Sequence, residues 1–446
     1  MKSIRFEIVY CILLAVLLHL SGCSSTNEIP DPLPTTETDG VVIYEANPYF
    51  FARTDALQAV AARLNEIQEL GVNVIWLMPV YELGRKNAVG SPYCVRNYFQ
   101  LNADYGTLDD LKSLVNQAHA KGIRVILDWV ANHTAWDNEW INNKSWYTQD
   151  AAGNIISPAG MGWGDVADLN YDNVDMRAAM LDAMKFWITE TDVDGYRCDY
   201  ADGVPHDFWR TAIAELKTLK GDELLMLAEG SEYSLFTDGF DIVWGWEFAT
   251  RLQSLFAGSG SVASLYKANA DEYNGVLGGK QRLRYSTNHD VASGASPLQM
   301  YDGTRGAMAA FVIATTISGV PLIYSSQEIG YPQALSFFGY HAVNWNSNAD
   351  YLQEYKRVMQ VYRSSVALQK GSLRTYEKGN VACYYRSHGN EGVLVVVNTS
   401  DETVDLRTPI EFAGIEATDL LNNTAITLPA NMSLEAYRYC FYQIKN

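Results

Sequence analysis

Short apolar runs separated by helical patterns fill most of this chain. Eight of them, Val41–Tyr44, Val72–Leu77, Arg124–Trp129, Gly195–Cys198, Leu224–Ala228, Ile242–Trp244, Leu283–Ser286 and Pro321–Tyr324, have the length and composition of strands. Several are apolar almost throughout, as strands covered on both faces should be. Between them, apolar residues at helical spacing predict helices over Ala56–Leu70, Leu108–Lys121, Asp175–Thr191, Asp207–Lys220 and Tyr301–Ser318. Gly71 and Gly122 follow two of these, where a left-handed C-cap is expected. Eight strand–helix repeats predict an α/β fold, a (β/α)8 TIM barrel whose strand C-termini share one face. An open doubly wound sheet would want a glycine-rich phosphate turn, and neither G-x-G-x-x-G nor G-x-x-x-x-G-K-[ST] occurs.

Two stretches break the pattern. Between the third and fourth runs, residues 134–170 form a polar excursion carrying Trp136, Trp140, Trp146 and Trp163, which predicts a short inserted subdomain on the catalytic face. These tryptophans suit flat ligand platforms and subdomain core equally well. After a helical stretch near Tyr351–Ala367 the runs Val381–Tyr385, Val393–Val397 and Ala436–Phe441 alternate with turn residues. A catalytic barrel over 41–367 and a C-terminal all-β domain, a β-sandwich, over 368–446 are therefore expected. A formal net charge of −19 repels phosphate backbones, which argues against nucleic acid as a partner. Oligomeric state stays open.

The candidate chemistry sits where the strands end. Asp199 closes V-D-G-Y-R-C-D, Glu229 closes L-L-M-L-A-E, and Asp290 closes R-L-R-Y-S-T-N-H-D. A carboxylate beside apolar surface loses water without automatic replacement, so three at one level point to a shared catalytic mouth rather than to packing. Asp128, Asn132 and His133 lie at and beyond the end of the third run, and His289 precedes Asp290. Arg197 stands two residues before Asp199, on the same side of its strand, where a guanidinium would keep a nucleophile ionised. Glu229 emerges from an apolar run, and a general acid working near neutrality gains from apolar surroundings.

These segments resemble the motifs of the α-amylase family of glycosidases, glycoside hydrolase family 13. D-W-V-A-N-H-T at 128–134, G-Y-R-C-D at 195–199, A-E-G at 228–230 and S-T-N-H-D at 286–290 match its four main motifs in order. D-L-N at 168–170, G-V-N-V-I-W-L-M-P at 71–79 and G-V-P-L-I-Y at 319–324 match further ones. The resemblance implies a retaining hydrolase cleaving α-1,4-glucosidic bonds of starch, glycogen or maltooligosaccharides. In it Asp199 is the nucleophile, Glu229 the acid and base, and Asp290 the residue that holds sugar hydroxyls. It further implies that Arg197 orients Asp199, that His133 and His289 donate to the same sugar, and that Tyr93 in G-S-P-Y stacks on it. Retention calls for carboxyls about 5–5.5 Å apart. Asn132 and Asp168 match calcium ligands of many relatives, and oxygen donors suit that ion. Where many members carry a Lys-His pair after the nucleophile, this chain has Asp202 and Gly203, and Asn97 replaces a frequent aspartate. Two other readings share these residues: an α-glucan transglycosylase on the same scaffold, and a non-catalytic glucan-binding lipoprotein.

The first 22 residues read as a signal segment. Lys2 and Arg5 precede the apolar run Ile8–Leu20, and L-S-G-C ending at Cys23 resembles a bacterial lipobox. Cys23 is then the lipidated N-terminus, and 23–40 a flexible tether. That makes the protein an exported lipoprotein on a membrane anchor. The absence of Asp directly after Cys23 favours the outer membrane, by analogy with lipoprotein sorting. Cys94, Cys198, Cys383 and Cys440 form no C-x-x-C pair, which disfavours zinc. A Cys383–Cys440 bridge and two buried thiols both remain open, while alternation turns Cys198 away from the Arg197 side of its strand.

Overall fold

The eight strands close on themselves. In the computed structural model, which describes residues 38–445, they are β1 Ile43–Ala46, β2 Val74–Leu77, β3 Arg124–Val130, β4 Gly195–Asp199, β5 Leu225–Ala228, β6 Ile242–Val243, β7 Gln281–Arg284 and β8 Val320–Tyr324. All pair in parallel, and β1 joins both β2 and β8 to complete a barrel. The signal segment, Cys23 and most of the tether lie outside the described residues.

Alternation sorts the side chains into two layers. Ile43, Val74, Trp76, Ile126, Leu225, Leu227, Leu283 and Leu322 pack together in the lumen. Their sequence neighbours Tyr44, Ile75, Leu127, Tyr196 and Met226 pack outward against the helices. Cys198 belongs to this outer layer, as its position opposite Arg197 requires, and burial pushes its thiol up. Gly71 and Gly122 take φ of +75° and +69°, the left-handed caps expected of them. The helix expected over 56–70 is two, Ala56–Ala62 and Leu64–Glu69, because the backbone tightens at Arg63, whose N–H reaches only as far back as Val60 O.

After β3 the strand His133–Ala135 pairs antiparallel with Val166–Asp168, and the chain between them forms two short 3-10 turns. Beyond the final helix, Val366–Lys370, a six-stranded sheet and a two-stranded ribbon enclose one apolar layer. Val381, Cys383, Leu394 and Val396 come from the sheet, Leu406, Met432 and Leu434 from the ribbon. Cys383 and Cys440 are free and buried: both stand opposite Val396, one on each side of its strand. Two strand spacings of about 4.8 Å separate them, beyond the reach of a disulfide.

Candidate active site

The register of β3 against β4 sets Asp128 opposite Arg197 and Val130 opposite Asp199. Buried at the C-terminal mouth of the barrel, Arg197 therefore meets three carboxylates. Its Nη1 donates to Asp128 Oδ1 at 2.8 Å and to Asp199 Oδ1 at 2.9 Å, and its Nη2 lies 2.9 Å from Glu229 Oε2. Trp76, Trp244 and Tyr93 put ring faces about the same guanidinium, with centroids 4.9, 5.2 and 5.6 Å away. Asp128 also accepts from Trp76 Nε1 at 3.0 Å and from the Tyr93 hydroxyl at 3.1 Å. Two carboxyls, Asp199 and Glu229, are thus held by the two ends of one planar fork.

One expectation changes here. Arg197 does not hold Asp199 at an ordinary carboxyl value: burial first and the Glu229 charge second push Asp199 well up, with Arg197 opposing. One positive charge divided among three carboxylates is too little to offset the burial of Asp199. Nor is Glu229 set in apolar surroundings alone, since the Tyr200 N–H donates to its Oε2 at 2.8 Å. Tyr200 adopts a left-handed φ of +40° to deliver that bond, a strained conformation of the kind that collects at functional sites.

The two histidines differ. His133 is buried, and desolvation lowers it to about 4, so it is neutral, with Nδ1 beside Asn132 Oδ1 at 3.2 Å. For His289 burial pulls downward too, but Asp290 and Glu45 outweigh it and raise it to about 9. Its Nδ1 contacts Glu45 Oε1 at 2.5 Å and its Nε2 lies 3.0 Å from the Tyr93 hydroxyl. Glu45 is a site residue that the sequence reading passed over. It ends the first apolar run just as Asp199 and Glu229 end theirs, so the same signal could have found it.

Asp199, Glu229, Asp290, Tyr93, His133 and His289 all line one cavity of about 450 Å³. The side chain of Asp290 is 46% exposed, whereas those of Asp199 and Glu229 are 12% and 15% exposed, so the pair forms the floor and Asp290 the rim. Trp163, Trp246, Phe337 and Phe338 complete the walls, giving flat apolar faces of the kind that suit sugar rings. Trp163 is the inserted tryptophan that reaches the cavity, 5.5 Å from the His133 ring. Trp140 packs between Trp146 and Tyr98 instead.

Asn132 and Asp168, the two candidate calcium ligands, both have partners within the chain. The Asn132 amide donates to Gly203 O at 3.2 Å while its oxygen faces His133, and Asp168 takes a hydrogen bond from Thr148. Among the described residues no three His, Cys, Asp or Glu converge on one point suited to a metal. Asn132 instead ties the end of β3 directly to the loop after β4. A Cβ at Gly203 would come within 2.3 Å of the Tyr200 ring and 3.0 Å of Asn132 Nδ2, so a side chain there would disturb this tie.

Known proteins share this fold. Residues 35–153 and 161–371 match the family described as alpha amylase, catalytic domain, and residues 373–442 match that described as maltogenic amylase, C-terminal domain. A cyclomaltodextrinase of Geobacillus thermopakistaniensis is 25% identical over 422 residues, covering 87% of this chain and 70% of its own. A maltogenic α-amylase of Bacillus acidopullulyticus is 24% identical over 410 residues, covering 85% and 68%. The crystal structure of a maltogenic α-amylase from Thermotoga neapolitana superimposes with a TM-score of 0.82 at 23% identity, over 92% of this chain and all of that one. Since the catalytic-domain match spans most of the barrel and its inserted loop, the chain belongs to the α-amylase family of glycosidases.

Proposed function

We propose that Asp199, Glu229 and Asp290 carry out hydrolysis of α-1,4-glucosidic bonds with retention of configuration. Glu229 gives its proton to the glycosidic oxygen while Asp199 attacks the anomeric carbon, so that the C–O bond to the leaving sugar breaks as the bond to Asp199 forms. Glu229 then takes a proton from water, whose oxygen displaces Asp199 and restores both carboxyls. The observation that carries this reading is the Arg197 fork. It holds both carboxyls side by side at the floor of the cavity, as a nucleophile and an acid acting on one glycosidic bond must stand. Asp290 and the cationic His289 hold sugar hydroxyls from the rim, the neutral His133 adds a further contact, and Tyr93 provides a ring face beneath the sugar. Starch, glycogen and maltooligosaccharides are the substrates, and the names of the relatives add cyclic maltodextrins.

Asp199→Asn should lower kcat by on the order of 10⁴-fold with the fold intact by circular dichroism. Proton NMR of the first wild-type products from maltotriose should show the α-anomer. Release of the β-anomer, or an active Asp199→Asn variant, would overturn the assignment.

The reading of the N-terminus as a lipid anchor on Cys23, with the enzyme exported to the outer membrane, rests on Lys2, Arg5 and the run Ile8–Leu20 before L-S-G-C. Among the described residues no helix is long and apolar enough to cross a membrane. Cells fed labelled palmitate should label the wild-type chain and not a Cys23→Ala variant. Equal labelling of both would remove the anchor.

A further inference from the structure

The segment that follows Glu229 has little of its own to hold it. Gly230 has no side chain, and a Cβ there would press on the Leu235 side chain at 2.4 Å and on Asp202 Oδ1 at 2.5 Å. Regular structure resumes only at the five-residue helix Ser234–Asp238. A carboxyl that must first give a proton to a glycosidic oxygen and then take one from water needs a fixed backbone beneath it, because misplacement by about 1 Å can cost about 10²-fold in rate.

That fixing comes from the 3-10 turn Ala201–Gly203, which follows the nucleophile's strand. Asp202, three residues past Asp199, accepts from the Ser231 N–H at 2.8 Å and from the Ser231 hydroxyl at 3.0 Å on Oδ2, and from the Glu232 N–H at 3.4 Å on Oδ1. Two backbone bonds run the same way: Ala201 N–H to Glu229 O at 2.8 Å and Glu229 N–H to Cys198 O at 2.9 Å. Beyond them, Glu232 Oε2 lies 3.1 Å from His206 Nε2, on the helix that follows Asp202. Asp202 also lines the cavity beside Glu229, at the position where the family resemblance places a lysine. An ammonium has three donors and no acceptor, so it could take none of these bonds.

We propose that Asp202 is a positioning residue for the catalytic acid, anchoring Gly230–Glu232 so that the Glu229 carboxyl stays aimed at the glycosidic oxygen. The proposal rests on the reading of Glu229 as that acid. Proton donation matters only when the leaving group needs a proton. Maltotriose needs one to lose its sugar alkoxide, whereas α-maltosyl fluoride releases fluoride without one. The ratio of kcat/KM on these two substrates therefore separates a misaimed acid from a generally damaged site.

For Asp202→Ala, kcat/KM on maltotriose should fall by about 10²-fold and that on α-maltosyl fluoride by less than about 5-fold. Asp202→Asn, which retains one acceptor oxygen, should recover part of the maltotriose rate, and it carries the comparison if the alanine variant does not fold. Glu229→Gln serves as the reference and should show the same split, larger. If Glu229→Gln loses both substrates equally, the assignment of the acid is wrong. If Glu229→Gln splits them while the Asp202 variants lose both equally or neither, the positioning role is wrong.

Discussion

At the scale of single residues, the site depends on charges that cannot all be satisfied. Arg197 serves Asp128, Asp199 and Glu229 at once, so its charge holds the group together without silencing any member. Aromatic faces around the guanidinium recover part of what burial costs it. The histidines are separated by the same logic: His289 faces Glu45 and Asp290, while His133 faces an amide. Titration followed by NMR should therefore find His289 protonated until about pH 9 and His133 neutral down to about pH 4. The stability terms have opposite signs. A raised His289 stabilises the fold fully below the ordinary imidazole value of about 6.5, and that contribution is lost as pH climbs through about 9. A lowered His133 costs stability as pH falls from about 6.5 to about 4, because the unfolded chain takes up the proton first. A His289 that titrates at the ordinary value would mean that Glu45 and Asp290 do not grip it.

At the scale of elements, the nucleophile's position is set where β4 begins. Gly195 adopts φ +143°, and a Cβ there would stand 1.9 Å from the carbonyl oxygen of Leu225 on β5. That close approach fixes the register that places Arg197 beside Leu227 and Cys198 beside Ala228, and so sets Asp199 next to Glu229. Gly195→Ala should cost at least about 3 kcal/mol in urea unfolding and reduce kcat along with it, whereas a substitution at the open Gly122 cap should leave kcat intact. All eight strands were legible to within two residues at each end, because most are short apolar runs set between helical patterns, although β4 and β7 carry arginines. The hairpin of Tyr81–Leu83 with Val95–Leu101 was not, since its second strand V-R-N-Y-F-Q-L buries only two of seven residues and lacks alternation. Helix Trp246–Phe256 was not named either, although Phe248, Ala249, Leu252 and Leu255 are all buried on it. The acids could be found from strand ends, but the walls Phe337, Phe338 and Trp246 could not. They come from loops or the start of a helix, and their sequence gives no sign of which way they face.

At the scale of the whole molecule, the C-terminal sheet completes the barrel's own core. Ala382, Tyr384, Val393, Val395, Val397 and Phe441 share one continuous apolar cluster with Phe311, Val312 and Ile313 of the barrel helix Gly303–Thr316. Polar bonds cross the same boundary: Tyr266 donates to Cys383 O at 2.9 Å, the Thr316 and Tyr384 hydroxyls meet at 2.7 Å, and buried Arg386 donates to Thr316 O at 3.3 Å and to Ile317 O. Removing the sheet would expose that apolar face and the carbonyls that Arg386 covers, and the lost apolar burial is large against the marginal stability of a domain. A chain ending at Lys370 should therefore be insoluble or lack a cooperative thermal transition, although every residue of the cavity floor is still present. The full chain should unfold in a single calorimetric transition in which barrel and sheet melt together. Two separate transitions, or an active truncated barrel, would show that the sheet is an appendage and that the barrel carries its own core.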